Sequence, residues 1–95
     1  MTKIVYNRGY GGFILSDKAI EMYLTISGGK EPDESNRTDP ILIEVVEKLG
    51  KEASGLYSCL KIRELPPGTL YRIKEYDGME TIVTRDQDTH HYHIA

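Results

Sequence analysis

Arg8, Tyr10 and Phe13 alternate with Gly9, Gly11 and Gly12 in the stretch YNRGYGGFILSD, Tyr6 to Asp17. These residue types suit the capture of a planar anion. Glycine lets a backbone approach a ligand closely. Arginine offers a bidentate donor to a phosphate. Aromatic rings stack on nucleobases, at roughly 1–3 kcal/mol per base. The stretch also leads into the start of a helix, where free N–H groups favour an anion. It is not a dinucleotide fingerprint, which needs G-x-G-x-x-G and an acidic residue about twenty positions on; Gly9, Gly11 and Gly12 read G-x-G-G. No Gly-Lys-Ser/Thr follows, so it is not a phosphate loop either. A structural alternative stands beside ligand contact: a tight turn with Tyr10 and Phe13 tucked into the core, and Phe13 acting as a staple before a Ser16 cap.

A second candidate is a basic patch. If the Pro66–Gly68 turn pairs Ile62 with Tyr71 and Leu60 with Ile73, apolar residues meet on one face, the register that burial selects. Lys61 then lies opposite Arg72, with Arg63 and Lys74 diagonal and with Tyr57 and Tyr76 at the flanks. Like charges directly opposite destabilise a sheet, so an anionic ligand, acidic side chains or a partner chain should compensate. A solvated outer face guarded by Lys and Arg is the plainer reading.

Other chemistry is thin. His90, His91 and His93 invite a metal, but no further ligand has sensible spacing, and no metal or cofactor is expected. Cys59 has no identifiable catalytic partner, Ser16 reads as a cap, and the carboxylates are scattered without an acid/base pair. A non-enzymatic protein is expected.

These candidates must be positioned by the rest of a short chain. With 95 residues, a single domain over 1–95 is the prior. A core this small is marginal alone, so a homo-oligomer is expected. The net charge of −3 argues against long nucleic acid as a partner, while a small anion needs only a local patch. One cysteine among 95 residues permits no internal disulfide and suits a reducing, cytoplasmic compartment. There is no apolar run of transmembrane length and no signal-peptide core at the N-terminus, so no membrane is expected.

Lys3–Tyr6 reads as a strand. Ser16 is a helix N-cap, Ile20, Tyr23 and Leu24 follow at helical spacing, and Gly28 or Gly29 closes a helix over 16–27. The polar stretch 30–38 reads as a mobile loop. Asp39 and Pro40 then open a second helix over 40–50, with Leu42, Val45, Val46 and Leu49 as its apolar face. Strands are expected at 56–65, 69–76 and 80–85. Asp77-Gly78 is a type I′ hairpin signal, and the tail 86–95 is expected to fray. The fold class expected is α+β: an antiparallel sheet of about four strands with two helices on one face, in the order β-α-α-β-β-β.

The segments YGGFILS, DPILIEVVEKLGKEASG, LKIRELP and IKEYDGMETI together resemble a family of small phage-encoded proteins, over Lys3 to about Val83. YGGF-x-LS and EYDG are the most specific elements. The family includes anti-CBASS sponges, which sequester the cyclic dinucleotides that bacteria make as infection alarms. The resemblance implies a ligand-binding role for Tyr10, Gly11, Gly12 and Phe13, and a cyclic (di)nucleotide as partner. Arg8 lies outside the similar segments, and the His-rich tail departs from them. A protein-interaction module or inhibitor that docks on a host protein is the other reading, with the tyrosines as interface anchors.

Overall fold

The computed structural model describes residues 1–84, 93 and 94. Along the chain run β1 (Thr2–Asn7), α1 (Asp17–Ser27), α2 (Pro40–Leu49), a 3-10 turn (Gly50–Ala53), β2 (Leu60–Leu65), β3 (Leu70–Tyr76), β4 (Met79–Thr84) and β5 (His93–Ile94).

Both helices start and stop as their sequences dictate. The Ser16 hydroxyl accepts from the Ala19 N–H at 3.1 Å, and Gly28 closes α1 in the left-handed region at φ 75°. Asp39 accepts from the Ile41 N–H at 2.9 Å, with Pro40 in the first helical turn where its missing donor costs nothing. The Tyr23 hydroxyl also donates to Asp39, which ties α1 to the start of α2. That bond, seconded by burial, pushes the Tyr23 phenol up to about 12.

The strands are antiparallel but form two sheets: β1–β2, and β4–β3–β5. This corrects the single sheet expected from sequence. β2 pairs with β1, placing Val5 opposite Ile62, and β3 pairs with β4, placing Ile73 opposite Ile82. The register of Ile62 with Tyr71 and Leu60 with Ile73 does not occur. The Pro66–Gly68 turn does close, with the Thr69 N–H donating to Pro66 O at 3.1 Å, but it carries the chain from one sheet to the other.

The reason lies in β1. Its neighbours Ile4 and Val5 point to opposite faces, and both are 0% exposed. A sheet with helices on one side only would leave one of them in water. Val5 instead joins Leu60, Ala19, Tyr23, Leu42, Val45 and Val46 under the helices. Ile4 joins Leu65, Tyr71 and Ile82 against the second sheet. β1–β2 is thus a middle layer, and the unbroken run Ile4–Tyr6 is the mark of a strand buried on both faces.

The polar stretch before α2 is tied to the body of the fold at Arg37. Arg37 accepts the Val5 N–H on its carbonyl at 2.9 Å, and its guanidinium lies 3.7 Å from the centre of the Phe13 ring. It also forks onto the buried Glu80 carboxylate at 2.6 and 2.9 Å. The expected end of β4 at Arg85 and the expected fraying of 86–95 lie outside the described residues, except that the His93–Ile94 backbone pairs with β3.

Candidate functional site

Three backbone segments converge at one end of the molecule: the glycine loop after β1, the turn before β2, and the β3–β4 hairpin. Their common point is Asn7, which is 0% exposed. Its side-chain amide donates to Gly9 O at 2.9 Å and to Gly78 O at 2.8 Å. Its side-chain oxygen accepts from Gly9 N at 2.9 Å and Cys59 N at 2.8 Å. All four hydrogen-bonding positions of the amide are therefore used. The Asn7 backbone N–H is taken by Glu80 at 2.9 Å.

The glycines allow this approach. A Cβ on Gly9 would sit 2.4 Å from Tyr57 O, and one on Gly11 would sit 2.6 Å from Tyr57 Cβ. Arg8 N donates to Cys59 O at 2.8 Å, and Gly11 N to Tyr57 O at 2.9 Å. The Ser58 hydroxyl donates to Gly12 O and accepts from Ile14 N at 3.1 Å. The hairpin turns as expected, with Asp77 at φ 53° and Gly78 at φ 86°, both positive as type I′ requires.

Between the first two segments lies an open cleft of about 490 Å³, lined by Arg8, Tyr10, Tyr57, Ser58 and Cys59 among others. Tyr10 is 72% exposed and Tyr57 77%. Arg8 is exposed and forms no side-chain ion pair among the described residues. Leu56 and Tyr76 stand exposed on the adjoining turn and hairpin.

The structure sorts the expected site residues. Arg8, Tyr10 and Gly11 share the cleft; Gly12, at φ 84°, turns the chain away from it. Phe13 is half-buried against the helical core with Arg37 over its face, so it is not a free stacking surface. The start of α1 is not part of the cleft: Ser16 caps it, and the acidic Asp17 occupies its first turn. Tyr57 is the residue that sequence reasoning placed elsewhere, on a strand. The strand starts at Leu60 because Gly55–Ser58 forms a turn, with the Ser58 N–H donating to Gly55 O at 3.0 Å.

The four-residue basic patch is not assembled. Lys61 lies opposite Tyr6 and Arg63 opposite Ile4 in one sheet, whereas Arg72 lies opposite Val83 and Lys74 opposite Thr81 in the other. Arg63 donates to Ile82 O at 3.1 Å, and Arg72 is only partly exposed. The cause is the pairing itself: β2 and β3, which the patch needed side by side, belong to different layers. Of the three tail histidines, His90 and His91 lie outside the described residues. Among those described, no cluster of His, Cys, Asp and Glu is arranged to hold a metal, and no helix is long and apolar enough to cross a membrane. Comparison with protein families, curated proteins and solved structures finds no match.

Proposed function

We propose that this chain is a non-enzymatic binding protein that sequesters a cyclic mono- or dinucleotide, with Tyr10 and Tyr57 as stacking faces and Arg8 as the phosphate donor. The observation that carries it is Tyr57. As the third residue of the Gly55–Ser58 turn it sits at φ 63°, a position suited to glycine. The left-handed region costs a bulky residue roughly 1–2 kcal/mol, and a residue 77% exposed recovers little of that by packing. Strain held at an exposed aromatic ring is motivated by what the ring touches. The resemblance to phage proteins supplies the setting: removal of an infection signal without cleaving it. A cyclic dinucleotide carries two phosphates and each cleft holds one arginine, so two copies sharing a ligand form the complete site.

The test is calorimetric titration, after a thermal-shift screen of cyclic mono- and dinucleotides. Ligand at a hundred times Kd should stabilise the fold by about 2.7 kcal/mol. Tyr57→Gly should remove stacking and weaken binding by roughly 1–3 kcal/mol, while relief of backbone strain leaves the fold at least as stable as before. Arg8→Ala should weaken binding and reduce its salt dependence. No shift with any nucleotide at millimolar concentration would reject the proposal.

One observation favours a second reading. Leu56 is 74% exposed and Tyr76 78%, and they extend the apolar surface beyond the cleft. Such a surface fits a protein partner, for which Tyr and Arg serve as anchors. Leu56→Asp separates the two: it should abolish a protein contact and leave nucleotide affinity unchanged.

A further inference from the structure

We propose that the outer edge of β2 docks an extended peptide segment of a partner protein, one that alternates apolar and acidic residues. The backbone directions follow from β1. Val5 N–H donates to Arg37 O and Asn7 N–H to Glu80, both at 2.9 Å, so these amides point away from β2. Val5 pairs with Ile62 and Asn7 with Leu60. In an antiparallel ladder both members of such a pair direct their backbone groups away from each other. Leu60, Ile62 and, by the same alternation, Glu64 therefore aim their N–H and C=O groups at the outer edge.

Ser54 Oγ takes the Leu60 N–H at 2.9 Å. Among the described residues no strand or side chain takes the N–H of Ile62 or Glu64 on that side. An open edge of this kind is a template for another strand.

The side chains specify the guest. Beside the edge is a cleft of about 510 Å³ with Val46, Leu60 and Ile62 as apolar lining and Lys51 and Lys61 at its exposed rim. Neither lysine forms an ion pair among the described residues. The opposite face of β2 carries Lys61 and Arg63, two residues apart. A paired strand thus meets Leu60 and Ile62, with the exposed Glu64 at the far end, on one face and Lys61 and Arg63 on the other; a guest with apolar residues against Leu60 and Ile62 and acidic residues against the two cations satisfies both faces.

A second copy of β2 is a poor guest. Laid antiparallel with like faces matched, it sets Lys61 against Arg63 or Arg63 against itself, and like charges opposite each other destabilise the pair. This surface does not depend on the nucleotide reading of the aromatic cleft.

The experiment uses the full chain and three short synthetic peptides: one alternating glutamate and valine, one alternating lysine and valine, and the glutamate peptide N-methylated at alternate amides. Fluorescence anisotropy should show the acidic peptide binding at least tenfold tighter than the basic one. The N-methylated peptide should lose at least tenfold. Nitrogen-edited NMR should show the Ile62 and Glu64 amides shifting and gaining protection from exchange as the acidic peptide is added. Glu64→Pro deletes one outward donor where an edge strand tolerates proline, and it should weaken the acidic peptide at least tenfold. Equal affinity for acidic and basic peptides would overturn the proposal. So would unchanged exchange at Ile62 and Glu64, or concentration-dependent protection of both without peptide, which would assign the edge to a second copy.

Discussion

Replacing Asn7 should cost this protein a large share of its stability, although the residue touches no proposed ligand. Asn7→Ala removes four hydrogen bonds, at 2.8 to 2.9 Å, from a site with no solvent exposure. Each such bond contributes about 0.5–1.5 kcal/mol net, and a buried group left unpaired costs about 1–3 kcal/mol. Local relaxation will let water reach some of the four orphaned groups, so an expected loss of about 3–5 kcal/mol is a fair total. A domain of this size holds about 5–15 kcal/mol altogether. Urea denaturation followed by circular dichroism reads the change directly.

Asn7→Asp sharpens the test. A carboxylate keeps the acceptor for Gly9 and Cys59 but faces Gly9 O and Gly78 O with no proton to donate. Its folded pKa is therefore expected above the unfolded value of about 3.9. A group raised on folding contributes most below its unfolded pKa, and that contribution is lost as pH rises. The Asp variant should gain stability towards wild type as pH falls through the acidic range. A loss below 1 kcal/mol for Asn7→Ala, or a flat pH dependence of the difference between Asn7→Asp and wild type, would refute the role given to this amide.

Three further outcomes are expected. Gly9→Ala should destabilise by about 1–3 kcal/mol, as overpacking does, because its Cβ would meet Tyr57 O at 2.4 Å; a denaturation midpoint matching wild type would contradict it. Arg37→Met should cost about 3–5 kcal/mol by leaving the Glu80 carboxylate buried without its partner, measured by thermal or urea unfolding. Absorbance titration should show a tyrosine ionising near pH 12 that disappears in Tyr23→Phe. Because the Tyr23 phenol is raised on folding, its contribution is complete below pH 10 and lost as pH climbs towards 12.

Local signals in this sequence were legible and long-range pairing was not. Ser16, Asp39-Pro40 and Gly28 act within a few residues of themselves, and the helices begin and end where those residues set them. Asp77-Gly78 likewise fixes its hairpin alone. The Pro66–Gly68 turn looked equally local, yet a turn sets only direction. Which strands pair was decided by the burial of Ile4 on one side of β1 and Val5 on the other. Misreading that layer order displaced the whole basic patch. In the candidate cleft, Tyr10 and Arg8 are legible by residue type. Tyr57 was missed because a strand-like run gave no sign of a positive φ at a tyrosine. Arg37 was missed because its partners, Phe13 and Glu80, lie far away in sequence.

The division of labour at this end of the fold bears on how the cleft works. Its frame is built from Asn7, Ser58 and main-chain bonds across Gly9 and Gly11, all turned inward. Tyr10, Tyr57 and Arg8 contribute no side-chain hydrogen bond or ion pair to that frame among the described residues, although Tyr57 Cβ fills the space beside Gly11. The rings are therefore fixed at their roots and bare at their faces. Backbone ordering is completed on folding, so binding need freeze only side-chain rotamers, at about 0.5–1.5 kcal/mol each. Such a cleft suits the capture proposed for it, in which few contacts must hold a ligand. Substitutions should then fall into two groups: changes at Asn7 or Gly9 lose stability and binding together, and changes at Tyr10 or Arg8 lose binding alone. A variant at Tyr10 that unfolds the protein would break that division, and with it the case that the ring is presented to a ligand.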